Sequence, residues 1–178
     1  LGSKANAYPK IRRRLTMDIY EFAMKMEKDG ENYYRELAKK TENTGFKNIF
    51  TMLADTEVTH QNIFKKMKEN EQGKVVHTKI LSRVNNIFIQ MREKHTEIPV
   101  AITQSELYKK AQEVEKKSRD FYIEKAGEVK EPHQKETFLK IAEEEKKHAL
   151  ILAEIIDFVS RPESWLENPE WYHLEDYE

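Results

Sequence analysis

Apolar residues recur along this chain at the three-and-four spacing of helices that each bury one stripe. From about Met17 to Lys40 the stripe runs through Tyr20, Phe22, Ala23, Met26, Tyr34 and Leu37. Thr44-Gly45 reads as a break, after which a second stripe runs from about Phe46 to Glu69 through Ile49, Phe50, Leu53, Ile63, Phe64 and Met67. So short a break predicts an antiparallel hairpin. Thr103 followed by Glu106 reads as a capping box, opening a third long helix to about Val129 that Glu131-Pro132 ends. A fourth is predicted from about Gln134 to Val159, stopped by Arg161-Pro162.

Between the two hairpins lies an unusually long connection, Asn70 to Thr103, bracketed by Gly73 and Pro99. It carries Leu81, Val84, Ile87, Phe88, Ile89 and Met91, and a short helix is predicted around residues 80 to 93. Such a length suits a bundle whose second and third helices run parallel, because the chain must travel the bundle's length before re-entering it. The expected fold is therefore all-α: an antiparallel four-helix bundle with a long crossover between helices two and three. Residues 1–162 are expected to form this single domain. Residues 163–178, with Trp165, Trp171, Tyr172 and Tyr177, are read as an aromatic extension packed on the bundle or on a subunit interface.

The two hairpins repeat each other. A shift of 88 positions, the separation of Glu27 and Glu115, brings Tyr20 onto Tyr108, Ala23 onto Ala111 and Tyr34 onto Tyr122. Without a gap it also brings Phe50 onto Phe138, Ala54 onto Ala142, Glu57 onto Glu145, His60 onto His148 and Ile63 onto Ile151. This predicts two like halves about a pseudo-twofold axis.

The repeated charged residues fall on the buried stripes. Glu27 lies four residues after Ala23 and seven before Tyr34, and Glu57 lies seven after Phe50 and three before His60; the second half repeats both patterns. Four inward carboxylates would repel one another and resist ionisation unless compensated. Two divalent cations would supply the missing charge, with two imidazoles completing their surroundings. Two Glu-x-x-His pairs plus one Glu from each remaining helix is an arrangement that bundle cores use for paired metals. The expected metal ligands are Glu27, Glu57, His60, Glu115, Glu145 and His148, with Glu57 and Glu145 bridging. Tyr34 and Tyr122 remain open between hydrogen-bonding to ligand carboxylates and ordinary core packing. Met24, Met26, Met52 and Met67 read as core, and His77, His95, His133 and His173 as surface or capping residues.

Composition narrows the chemistry further. The 178 residues contain no cysteine, which removes thiolate zinc sites, iron–sulfur clusters and thiol catalysis within them. With 31 basic and 32 acidic residues the net charge is −1 without long runs of either sign, so no nucleic-acid partner is expected. No stretch nears the roughly 20 apolar residues of a membrane span, and no signal-peptide core is seen; a cytoplasmic protein without a membrane partner is expected. Oxygen and imidazole ligands suit iron, and manganese or zinc fit the same cage.

The run Met26-Glu27-Lys28-Asp29-Gly30-Glu31-Asn32-Tyr33-Tyr34, with Glu57-x-x-His60 and Glu145-x-x-His148, resembles the ferritin-like superfamily over roughly residues 16 to 160. Within it the chain is most similar to rubrerythrin-type di-iron proteins. Rubrerythrins proper carry a further glutamate where this chain has Ser118, and the matching place on helix one is Gly30. The resemblance thus implies the more symmetric two-histidine form and weighs against peroxide-specific ligand switching. It implies a di-iron oxidoreductase, a peroxidase or oxidase, that reduces hydrogen peroxide or dioxygen. Without a cysteine-bearing rubredoxin domain, it takes electrons from an external donor protein. Ferritin-like iron oxidation and storage is the alternative, which a shell of many subunits would mark; the aromatic tail favours a small oligomer, expected to be a homodimer. A metal-free interaction module, its glutamates satisfied by lysines, is a third reading.

Overall fold

The computed structural model describes residues 18–70, 75, 78–93 and 102–160, all of whose regular structure is helical. Five helices follow in order: α1 (Ile19–Lys40), α2 (Thr44–Lys68), α3 (Ile80–Glu93), α4 (Ile102–Glu128) and α5 (Pro132–Ser160). The all-α expectation is met, and the short helix of the crossover falls where it was anticipated.

Local chemistry sets the helix ends. Asp18 caps α1, its carboxylate accepting from the backbone N–H groups of Tyr20 (2.9 Å) and Glu21 (2.8 Å), while the Glu21 side chain accepts from the Asp18 N–H at 3.3 Å. Asn43 caps α2 by accepting from the Phe46 N–H at 2.9 Å. Three expected boundaries need correction. Thr44 and Gly45 lie inside α2, because Asn43 stops one helix from running into the next and starts the second at once. Thr103 lies inside α4 and is not its cap. Pro132 opens α5, where its missing N–H costs nothing, instead of only closing α4. Gly45 serves a close approach: a Cβ there would press on the Met91 side chain of α3, 2.9 Å from its Cγ.

α1 packs along α2, and α4 along α5. Across the bundle α1 and α4 run antiparallel, since Tyr34 meets Glu115 and Tyr122 meets Glu27. α2 and α5 do likewise, since His60 meets Glu145 and His148 meets Glu57. These pairings make α2 and α4 parallel, which is why the chain needs its crossover. Within the crossover α3 lies against α2 and α5, burying Ile80, Leu81, Val84, Phe88 and Met91.

Two apolar clusters fill the interior. The larger joins Phe46, Phe50, Tyr108, Ile155 and Phe158 to α3; the smaller is built on Ala23, Phe64, Tyr122 and Phe138. Of the expected stripe on α1, Phe22 is the exception: it is 44% exposed and rests its ring on Phe121, centroids 5.1 Å apart. The extension 163–178, and with it Gly73, Pro99, His77, His95 and His173, lies outside the described residues. His133 is half-buried near the start of α5. Among the described residues no helix is long and apolar enough to cross a membrane.

Candidate metal centre

Between the two apolar clusters the stripes carry acid instead of hydrocarbon. Glu27 comes from α1, Glu57 and His60 from α2, Glu115 from α4, and Glu145 and His148 from α5; none is more than 4% exposed. The three-residue spacing of each Glu-x-x-His pair sets both side chains on one helix face. Nδ1 of His60 lies 3.0 Å from Glu145 Oε1, 3.2 Å from Glu27 Oε2 and 3.8 Å from Glu57 Oε2. Nδ1 of His148 lies 3.0 Å from Glu57 Oε1, 3.6 Å from Glu145 Oε2 and 3.7 Å from Glu115 Oε2. The two rings stack with centroids 5.8 Å apart. Each histidine thus faces most closely a carboxylate of the other hairpin.

The tyrosines also cross the bundle. Tyr34 donates to Glu115 and Tyr122 to Glu27, both within the buried interior. A displacement of seven residues carries each ring roughly 10 Å along its own helix, away from its own glutamate and level with the antiparallel partner's. Burial, then the neighbouring carboxylate charges, push both phenols well above their usual range, so they stay protonated donors.

The electrostatics show what four buried acids do without cations. Burial, then the charges of Glu145 and Glu27, push the Glu57 carboxyl well above its ordinary value. Burial, then Glu145, push Glu115 up to about 8. Burial acts against the charged form of both histidines, but their carboxylate neighbours outweigh it, raising His60 to about 9 and His148 well above the ordinary range. Burial also works against an ionised Glu145, yet hydrogen bonds from Glu115, His148 and His60 hold it well below the usual carboxylate range. The cluster therefore gathers protons wherever a cation would otherwise stand.

The donors fit a metal pair. Two groups, Glu27–Glu57–His60–Glu145 and Glu57–Glu115–Glu145–His148, each bring four ligand atoms within 4.8 Å of one another, and Glu57 and Glu145 belong to both. Glu57 Oε1 and Glu145 Oε1 are fully buried without an aligned hydrogen-bond donor, although each has an imidazole nitrogen 3.0 Å away. Among the described residues no lysine or arginine forms an ion pair with any of the four carboxylates, which removes the support for a lysine-satisfied module. These buried Glu/His groups could hold metal ions through oxygen and imidazole donors.

The family model for rubrerythrin matches residues 18–157, the whole span that carries these groups. The chain belongs to the rubrerythrin family. Its helices and their crossover are those of the ferritin-like superfamily to which rubrerythrins belong. Comparison with curated proteins and with solved structures returns no match.

In this rubrerythrin-family chain several supporting residues went unread in the sequence. Gln61 donates to the Met24 carbonyl at 3.2 Å, and Gln112 to the Ala149 carbonyl at 3.1 Å. The 88-residue shift matches Gln61 with Ala149 and Met24 with Gln112, so the same interhelical bond recurs with its donor on the opposite helix. Unlike residue types at matched positions hid it. Beside the centre, Glu144 is fully buried: Thr78 donates to it from its hydroxyl and, at 3.3 Å, from its N–H. Lys147 bridges Glu144 (3.2 Å) and the Thr78 carbonyl (3.3 Å), tying the crossover to the turn of α5 that carries Glu145 and His148. In the run Glu143-Glu144-Glu145 no local pattern sets the middle residue apart as one buried by tertiary packing.

Proposed function

We propose that the protein is a di-iron carboxylate oxidoreductase that reduces hydrogen peroxide or dioxygen with electrons from an external donor protein. The observation that supports this most is the pair of overlapping ligand groups sharing Glu57 and Glu145, inside a rubrerythrin-family bundle. On this reading Glu27 and His60 would hold one ion and Glu115 and His148 the other, with Glu57 and Glu145 available to both. Bound iron would supply two metal-centred electrons, the number needed to take peroxide to water.

The chain's own residues keep that chemistry ordered. Tyr34 and Tyr122 hold Glu115 and Glu27 by hydrogen bonds across the bundle, which restrains the two terminal carboxylates. Apolar clusters on either side exclude water and strengthen each charge interaction within. Lys147 and Thr78 take care of Glu144, so its charge is met outside the centre. None of the 178 residues is a cysteine that could relay electrons, and a separate donor protein is their proposed source.

The test is metal analysis after anaerobic Fe(II) loading, followed by stopped-flow mixing with peroxide and with dioxygen. Two irons per chain, rapid oxidation and turnover with a reductant are expected. Absence of turnover with every donor would overturn the redox reading; a hollow many-subunit particle that accumulates iron would favour storage.

A further inference from the structure

The two sides of the carboxylate cluster are closed differently. On one side α2 and α5 bring both imidazoles, and α3 packs against these same two helices. On the other side a cavity of about 310 Å³ parts α1 from α4, and every residue lining it belongs to those two helices. The volume is at the low end of the range of roughly 300–1,000 Å³ in which small-ligand sites fall. A larger, shallower groove of about 550 Å³ runs between α4 and α5 past Lys109 and Ser160 and reaches no member of the metal centre.

The α1–α4 cavity does reach it, for Tyr34 and Glu115 form part of its wall. Two small residues at matched positions of the repeat, Gly30 and Ser118, line the cavity. A Cβ on Gly30 would stand in ordinary contact, 3.5 Å, with the Glu57 carboxyl carbon, so α1 passes close to that carboxylate where it lines the cavity. The seam is shut above and below: Phe22 packs on Phe121 at one end, and Tyr33 donates to the Leu107 carbonyl at 3.0 Å at the other. Asp29 and Lys110 stand exposed at the mouth with opposite charges, giving the entrance no net electrostatic bias.

We propose that this cavity is the path by which a small uncharged oxidant reaches the metal centre, and that Gly30 and Ser118 set the size of what can pass. The inference rests on the redox reading above. Its walls, with Met26, Ala111 and Val114, offer apolar surface to a molecule of a few heavy atoms, and the inner acids disfavour an anion.

The absence of cysteine from the chain allows a direct test on the metal-free protein. Ser118→Cys places one thiol in the cavity wall, and Ala54→Cys places one in the closed core of α2, where Ala54 is fully buried. Methyl methanethiosulfonate should label the first about tenfold or more faster than the second, whose reaction waits on local unfolding. A bulky fluorescent maleimide should lose most of that advantage. Equal labelling at the two positions would overturn the path, and equal access for small and bulky reagents would overturn the size limit. Ser118→Leu, checked for helicity, should keep the wild-type metal content yet slow peroxide oxidation of the Fe(II) protein about tenfold or more; an unchanged rate would also overturn the path. Wild-type protein that holds no metal would instead remove the redox reading, whatever the thiols report.

Discussion

The α1–α2 and α4–α5 hairpins carry the same acids, imidazoles and phenols in one register, yet they are finished differently. Asp18 closes the first hairpin with a capping box; its counterpart under the repeat, Glu106, lies within α4. Tyr20 is half-buried while its counterpart Tyr108 is packed inside the larger core cluster beside Phe46 and Phe50. The stapling glutamine sits on α2 in one half and on α4 in the other. What repeats is the set of groups that touch the centre; what diverges is the means of holding helices in place. Many side chains can fasten two helices together, but few can bind a cation in a dry interior.

If the halves are equivalent at the centre, their ligands should fail in matched ways. Glu57→Ala or Glu145→Ala removes a carboxylate common to both groups and should take metal content from two per chain toward zero. Glu27→Ala or Glu115→Ala should take it only toward one, as elemental analysis would show. Next in size, Tyr34→Phe and Tyr122→Phe should each weaken metal binding by about 10–100-fold in chelator competition, by similar factors. A clear inequality between them would mean that one half dominates.

The metal-free protein offers a third comparison, through pH. Glu115 is raised from 4.5 to about 8 and His60 from 6.5 to about 9. A raised group contributes stability fully below its unfolded value and loses it as pH rises through the folded one. Chelator-treated protein should therefore unfold at lower urea near about pH 9 than near about pH 6, with Glu57 and His148 acting in the same direction. Glu145, held low, acts oppositely and matters only on acidification below its ordinary 4.5. Metal affinity should instead strengthen over the same rise, because protons no longer compete for the ligands. The smallest effect expected is at the helix ends: Asp18→Ala should cost about 1 kcal/mol in urea unfolding. Glu106→Ala should stay within about 0.5 kcal/mol.

The bundle, its crossover helix and the meeting of Glu27, Glu57, His60, Glu115, Glu145 and His148 were legible because helical period and the 88-residue repeat both act on positions along the chain. The helix starts were readable in principle, since Asp18 and Glu21 form a capping pair, but the apolar stripe drew the boundary instead. Thr44-Gly45 and Pro132 misled for one reason: residues that interrupt helices are also tolerated in their first turn. The partners of Tyr34 and Tyr122 could not be read at all. They depend on the antiparallel register of two helices from different halves, which no local pattern encodes. The burial of Glu144 beside Thr78, and the cavity at Gly30 and Ser118, are likewise products of packing.

The sharing of carboxylates between halves bears on how the protein is made. When a ribosome has released α1 and α2, Glu27, Glu57 and His60 are present but Glu145 is not. Each of the two four-residue groups is complete only once α5 has emerged and docked. On the proposed reading a metal pair would meet its full set of ligands only after α5 has docked, and a chain cut before α5 would offer neither group complete.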